Sequence, residues 1–130
     1  MTDPITDMFN RIKNAQAVAN KTVDVPFSNL KLKIAEILKK QDFIIDFKKR
    51  GRKPHQLVRL ELKYGSDKLP ALAGFKRISK PGQRIYQKTK EIRKVKSGYG
   101  SSIVSTSQGI MVGREARRKK VGGEIMVELW

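Results

Sequence analysis

The spacing of apolar residues changes once along the chain, and this change constrains the fold more than any other sequence feature. Up to residue 66, apolar residues recur at helical spacing in two segments, 5–12 and 30–38. Three further segments, 23–27, 43–47 and 58–64, have the pattern of strands. After Leu69-Pro70, short strand-like runs alternate with glycine-containing turns. The sequence therefore predicts an α+β protein made of two small lobes.

The predicted boundary lies between residues 66 and 67. Residues 1–66 should form an N-terminal α/β lobe ordered helix, strand, helix, strand, strand, with Asp3 and Ser28 before the two helices as N-caps. Within the strand at 43–47, we expect one face to carry Phe43, Ile45 and Phe47. Within the strand at 58–64, we expect one face to carry Val58, Leu60, Leu62 and Tyr64.

Residues 67–130 should form a mainly antiparallel β lobe with short helices. One helical turn is predicted at 91–96, and a basic helix at 114–120 that Gly122-Gly123 ends. A last strand follows from Ile125 to Trp130. The expected apolar core of this lobe is Ile103, Ile125, Val127 and Leu129.

Charge indicates the class of partner. The chain has 29 Lys and Arg against 12 Asp and Glu, a formal net charge of +17. A polyanion relieves the self-repulsion of so basic a chain, and its phosphates release counterions on binding. We therefore expect nucleic acid as the partner. No apolar run is long enough for a membrane span and the N-terminus lacks a signal-peptide pattern, so no membrane partner is expected.

The composition argues against most catalytic and metal sites. The chain has no cysteine and one histidine, His55, which excludes thiolate and histidine-rich metal sites and fits a reducing, cytoplasm-like compartment. A hydrolase using Ser105 or Ser107 would need His55 to reach across from the other lobe. No phosphate-binding glycine loop or acidic magnesium cluster is present. We predict a protein that is not an enzyme and uses no cofactor.

The strand after Lys80-Pro81-Gly82 has the composition of a nucleic-acid face. A two-residue period places Arg84, Tyr86 and Lys88 on one side, so an aromatic ring lies between two cations. Bases stack on such rings while the cations hold phosphates. The alternative is a tyrosine packed on the rim of the sheet between solvated cations.

Two later features extend this interpretation. The basic helix could be a solvated face or a phosphate contact, and Glu124 could pair with a cation, orient a hydroxyl or accept from a base. The helix residues assigned to RNA binding are Arg114, Arg117, Arg118 and Lys120.

A hydroxyl cluster, Ser105-Thr106-Ser107 followed by Gly109, separates two strand-like runs. Hydroxyls and loop amides can read base edges and 2′-hydroxyls, which lysines cannot do selectively. The cluster would then supply specificity and the cations affinity; otherwise it is an ordinary hairpin corner.

Four ordered stretches resemble one known family. The segments "RISKPGQRIY", "STSQGIM" and "REARRKKVGGE", with "MTDPITDMFNRIKNA" at the start, are similar to the bacterial or organellar branch of the small-subunit ribosomal protein eight family. The resemblance spans the whole chain. The segment Lys48 to Gln56 is more basic than the usual hairpin at that place, and the helix after Gly113 lacks the family's frequent Asp or Thr cap.

The resemblance implies a structural constituent of the small ribosomal subunit that binds a central-domain rRNA helix and helps the platform assemble. It implies contacts through Ser105, Thr106, Ser107 and Gly109, with Tyr86 and Glu124 on the same surface. It also implies neighbours among small-subunit proteins, five and twelve, and in some members binding to the mRNA of their own operon. The expected location is the ribosome in the cytoplasm, with an organelle as an open possibility. The alternative function is a free regulatory RNA- or DNA-binding protein, such as a translational repressor outside the ribosome.

Overall fold

A computed structural model describes residues 3–92 and 100–130. The fold is α+β with antiparallel sheets, as the sequence predicts. The helices are α1 (Pro4–Ala17), α2 (Asn29–Lys40) and α3 (Gly113–Arg118), with a short 3-10 helix at Thr89–Glu91. The strands are β1 (Thr22–Pro26), β2 (Ile44–Arg50), β3 (Leu57–Leu62), β4 (Phe75–Arg77), β5 (Tyr86–Gln87), β6 (Ser101–Thr106), β7 (Gly109–Val112) and β8 (Gly123–Leu129).

The chain divides into two compact units, one spanning Pro4–Ala73 and the other containing Gly74–Trp130 with the N-terminal residues. Residues 67–73, which the sequence interpretation assigns to the second lobe, lie with the first unit in this division. Local hydrogen bonds explain this: the Gly65 amide donates to the Leu69 carbonyl (2.8 Å) and the Ala71 amide to the Lys63 carbonyl (2.9 Å).

The first unit is a three-stranded antiparallel sheet ordered β1-β3-β2, with α1 packed against β1 and α2 against β2 and β3. Helix α1 begins at Pro4 as predicted, and the Ser28 hydroxyl caps α2 by accepting from the Lys31 amide at 3.1 Å. The alternation predicted for β3 is confirmed, since Val58, Leu60 and Leu62 are all buried. The core is built from one face of each element.

The alternation predicted for β2 is wrong. Ile44 is buried, whereas Ile45 is 51% exposed. The pairing with β3 shifts between Ile44 and Asp46, so one extra residue interrupts the strand. A bulge of this kind changes which side chains face the core.

The second unit is built around β8, which pairs with β4 and β5 along one edge and with β6 along the other, while β7 pairs with β6. The predicted core residues Ile103, Ile125, Val127 and Leu129 are all at most 3% exposed. A second apolar cluster joins β6, β7, β8 and α3 and comprises Ile92, Val104, Met111, Ala116 and Ile125.

Three predicted elements differ in extent. The strand expected at 84–88 is reduced to Tyr86–Gln87, and the basic helix ends at Arg118. The turn expected at 91–96 lies partly outside the described residues, while a 3-10 helix ends at Glu91. The Glu91 carboxylate accepts from the Lys88 amide at 2.8 Å, and this hydrogen bond places the helical turn at Thr89–Glu91, before the predicted start at residue 91.

Candidate nucleic-acid interface

Three predicted site residues lie side by side across the second sheet. Tyr86 on β5 is directly opposite Glu124 on β8, and Glu124 is directly opposite Ser105 on β6. Opposed residues of antiparallel strands project from the same face, so these three side chains form one row. Tyr86 is 69% exposed, which makes its ring available to a ligand rather than packed on the sheet.

Glu124 is held in place by two donors. The Ser79 hydroxyl donates to its Oε2 at 2.6 Å and the Arg84 guanidinium donates to the same oxygen at 3.1 Å. Ser79 is fully buried, and its Oγ also accepts from the Ile85 amide at 2.8 Å. The carboxylate therefore pairs with Arg84, one of the alternatives the sequence leaves open, and has a fixed orientation in the row.

The sequence interpretation did not identify Ser79 as a site residue. It lies in a segment that reads only as a strand before a Pro-Gly turn. Its role depends on Glu124, 45 positions later in the chain, and no local pattern carries that information.

The β6–β7 hairpin presents the hydroxyl cluster. The Thr106 hydroxyl donates to the Gly109 carbonyl at 2.8 Å and accepts from the Gln108 amide at 3.0 Å, so it closes the turn. Gly109 has φ +112°, a conformation that side chains disfavour. The hydroxyls of Ser105 and Ser107 have no hydrogen-bond partner within residues 3–92 and 100–130. The hairpin corner thus uses one hydroxyl and leaves two available.

Gly122 and Gly123 allow the strands around the row to approach closely. A Cβ on Gly123 would collide with the Ser105 backbone oxygen and lie 3.1 Å from the Thr106 Cα. A Cβ on Gly122 would lie 2.9 Å from the Lys88 Cα. The pair is therefore required by backbone packing between β5, β8 and β6, a role beyond the helix stop that the sequence suggests.

An open groove of 860 Å³ borders the row at Tyr86. Its polar and charged lining residues come from β5 and the 3-10 helix, and its floor includes Gly122 and Gly123. Lys88 lies in this lining. The groove is large enough for a nucleobase and its ribose beside the Tyr86 ring.

The cations of α3 lie on the other side of the sheet. Ala116 packs with Val104 and Ile125, which neighbour Ser105 and Glu124 in sequence and so project from the opposite face. The structure thus joins Tyr86, Glu124 and Ser105 but does not put α3 on their face. Its C-terminal end, at Arg118, leads within five residues to Gly123, which is opposite Thr106 at the hairpin end of the sheet.

The basic side chains of α3 and of the residues that follow it differ in whether they already have a hydrogen-bond or ion-pair partner. Arg117 donates to the Ile92 carbonyl at 3.3 Å, and Arg118 lies 3.6 Å from the Glu115 carboxylate. Arg114 and Lys120 are exposed and have no ion pair within the described part of the chain. The two unpaired cations are the ones best able to meet phosphate.

The described residues contain neither a cluster of metal-ligating side chains nor a membrane-spanning helix. No three His, Cys, Asp or Glu side chains among residues 3–92 and 100–130 come together as a metal site. In the same residues no helix is long and apolar enough to cross a membrane. His55 belongs to the first unit and Ser105 and Ser107 to the second.

These features define a small, strongly basic α+β protein with a polar row on one sheet. The family model described as Ribosomal protein S8 matches residues 3–130. The small ribosomal subunit protein uS8 of Tropheryma whipplei is 48% identical over 130 residues, covering 100% of this chain and 98% of the relative. The uS8 protein of Lysinibacillus sphaericus is also 48% identical with the same coverage, and that of Rubrobacter xylanophilus is 47% identical over 126 residues, 97% and 96% of the two chains.

The chain therefore belongs to the ribosomal protein S8 family, and the resemblance read from its motifs is confirmed. Members of this family are structural constituents of the small ribosomal subunit, and the family is not one of enzymes.

Proposed function

We propose that this protein binds small-subunit rRNA directly, grips a helix of the central domain and helps the subunit platform assemble. The row Tyr86, Glu124 and Ser105, with Ser107 at the hairpin tip, is the specific contact. Arg84 and Lys88 supply phosphate contacts beside the row. Arg114 in α3 and Lys120 just after it contact phosphates of the same RNA beyond this face of the sheet.

The observation that supports this proposal is which polar groups of the row already have hydrogen-bond partners and which do not. Ser105 and Ser107 have hydroxyls without partners in the described chain, next to a carboxylate whose position is fixed by Ser79 and Arg84. A hydroxyl donates and accepts, and a carboxylate only accepts, so together they can match base edges and 2′-hydroxyls. The exposed Tyr86 ring offers a stacking surface beside them.

The proposed partners follow from family membership. Small-subunit proteins five and twelve would be neighbours in the particle, and the same face could bind an operon mRNA that mimics the rRNA helix. Because the similar proteins named above are bacterial, we place the proposed action in the cytoplasmic ribosome.

The test compares Tyr86→Ala and Ser107→Ala with Ser66→Ala, an exposed serine of the first unit. Each site variant should weaken binding to a central-domain transcript by about 1–3 kcal/mol, the range for a stacked base or a buried hydrogen bond that can no longer form. The salt dependence of log K should not change, since neither side chain neutralises a phosphate. Ser66→Ala should bind like the wild type.

An unrelated RNA duplex and thermal melting supply the controls. Equal losses for the cognate transcript and the unrelated duplex, or a fall in melting temperature that accounts for the weaker binding, would make the cluster a structural corner. Sedimentation of a lysate separates the alternative function: a ribosomal constituent travels with small subunits, whereas a free regulator stays at the top of the gradient.

A further inference from the structure

Cations in the first unit are concentrated at one end of its sheet. The segment from Lys48 to Gln56, here called the basic hairpin, comprises the end of β2 and the loop to β3. Between Asp46 and Glu61 the sequence has no acidic residue. The basic residues in that interval are Lys48, Lys49, Arg50, Arg52, Lys53 and Arg59.

The pairing register shows a gradient of charge along the face that α1 and α2 leave uncovered. The row at one end joins Asp46, Glu61 and Thr22. The middle row joins Lys48, Arg59 and Asp24, and the row nearest the basic hairpin joins Arg50, Leu57 and Pro26. Acidic side chains therefore lie away from the hairpin, and none is present in the row next to it.

Two of the three carboxylates of this face already have cation partners outside the basic hairpin. Asp24 accepts from Arg59 through both oxygens, at 2.8 and 3.0 Å, and Asp46 accepts from Lys39 at 3.0 Å. Lys48, Arg50, Arg52 and Lys53 make no ion pair with any residue in 3–92 or 100–130. All four are exposed. Arg50 and Lys48 act on Asp24 and Asp46 only through space, so within the described residues none of the four cations has a carboxylate at ion-pair distance.

Local geometry holds the hairpin in a defined shape. Gly51 has φ +86°, and a Cβ there would lie 2.8 Å from the His55 carbonyl oxygen. The His55 amide donates to the Arg52 carbonyl at 2.9 Å, and the Phe27 amide donates to the Gln56 carbonyl at 3.0 Å. Lys49 lies over the Phe27 ring, 4.2 Å from its centre. The cations are presented on an anchored turn, so little ordering is needed when they meet a partner.

We propose that the basic hairpin is a second RNA contact, separate from the polar row, which binds the sugar-phosphate backbone through Arg50, Arg52 and Lys53. The proposal rests on the proposed function, since it takes the same RNA as partner. Exposed guanidinium and ammonium groups without acceptors fit phosphate oxygens. The basic hairpin has no Phe, Tyr, Trp, Ser or Thr, and its one ring is the exposed His55 imidazole. Its cations outnumber this single ring, so it should add affinity with little choice of sequence.

The test uses the variant Arg50→Gln/Arg52→Gln/Lys53→Gln in the full-length protein. The matched control is Lys13→Gln/Lys21→Gln/Lys40→Gln, which removes the same charge from exposed positions of the same unit outside the hairpin. Affinity for whole small-subunit rRNA is measured over a series of salt concentrations. The hairpin variant should lower the magnitude of the slope of log K against log salt by roughly 2–3, about 0.7–0.9 for each phosphate that the protein no longer neutralises. The control should lower it by less than about 1.

The two proposals can fail separately. Equal slopes for the hairpin variant and the lysine control, with Tyr86→Ala still losing affinity, would overturn the basic hairpin as an RNA contact and leave the polar row intact. Wild-type affinity for Tyr86→Ala together with a lower slope for the hairpin variant would overturn the polar row alone. A hairpin variant that binds RNA normally but no longer binds another ribosomal protein would overturn the proposal in favour of an acidic protein surface.

Discussion

The acidic side chains of the two units have different surroundings and different roles. On the open face of the first unit, Asp24 and Asp46 are paired with Arg59 and Lys39, so the carboxylates neutralise that face and leave the excess charge at the basic hairpin. In the second unit, Glu124 is placed between strands that carry an exposed ring and a hydroxyl without a partner in the described chain. The carboxylates of the first unit neutralise cations, whereas Glu124 of the second unit is oriented for contact with a partner. We therefore expect substitutions of charged residues and of polar residues to affect RNA binding and stability in distinct ways.

The largest expected effect is on the scaffold of the second unit. Gly123→Ala places a Cβ against the Ser105 backbone, and neither strand can yield without breaking its pairing. We expect a loss of about 3 kcal/mol in the free energy of unfolding, at the high end for an overpacked site. Denaturant unfolding measures it. Gly65→Ala is the control, because its new Cβ would meet only the Asp67 side-chain oxygen, at 2.9 Å.

The backbone packing at Gly123 shows where sequence reasoning reaches its limit. The helix start at Pro4, the N-cap at Ser28 and the buried side of β3 follow from cap residues and local spacing, and these predictions are confirmed. The packing role of Gly123 depends on Ser105, a residue of another strand. The local pattern around this glycine indicates only a break in the helix.

The same limit explains Ile45 and α3. The bulge in β2 depends on how β2 pairs with β3, and strict alternation cannot reveal it. The distribution of charge predicted a basic helix at 114–120, but the face of the sheet on which α3 lies is decided by Ala116 packing against Val104 and Ile125. In the site, residue types singled out Tyr86, Glu124 and Ser105 one by one, and the family resemblance implied that they share a surface. The buried Ser79 that orients Glu124 required the tertiary structure.

The next effect separates the hydrogen bond of Glu124 from its charge. Glu124→Ala leaves the buried Ser79 hydroxyl and Arg84 without their acceptor, which should cost about 1–3 kcal/mol of stability. Glu124→Gln keeps an acceptor for Ser79 and should recover most of that loss. Thermal unfolding of the two variants checks this order. Equal destabilisation would mean that the charge pair with Arg84, rather than the Ser79 hydrogen bond, holds the row.

A smaller effect is expected for the cations at α3. Arg114→Gln/Lys120→Gln removes two exposed groups without ion pairs in the described chain and should lower the slope of log K against log salt by roughly 1.4–1.8. Arg118→Gln/Lys119→Gln is the matched control, since both side chains share Glu115, at 3.6 and 3.5 Å. A larger effect of the control pair would mean that RNA reaches the outer surface of α3 rather than its ends.

The smallest expected effect is the pH dependence of the charge-paired face in the first unit. The hydrogen bond from Arg59 lowers the pKa of Asp24 below its ordinary value, against the opposing effect of desolvation. Because the pKa is lower in the folded state, the pair stabilises the fold above about pH 4, and this contribution is lost as the pH falls from there through the folded pKa. Solvent exposure of both partners, 40% for Arg59 and 34% for Asp24, keeps the contribution small.

Two variants measure the acid sensitivity that this pair contributes. Denaturation midpoints at neutral pH and at about pH 3 should differ slightly less for Asp24→Asn than for the wild type, because the variant has no carboxylate to protonate. Arg59→Gln, which keeps the carboxylate but removes its donor, should show the same reduced pH dependence as Asp24→Asn. If Arg59→Gln kept the wild-type dependence, the acid sensitivity of the first unit would come from another carboxylate, with Asp46 beside Lys39 the next to test.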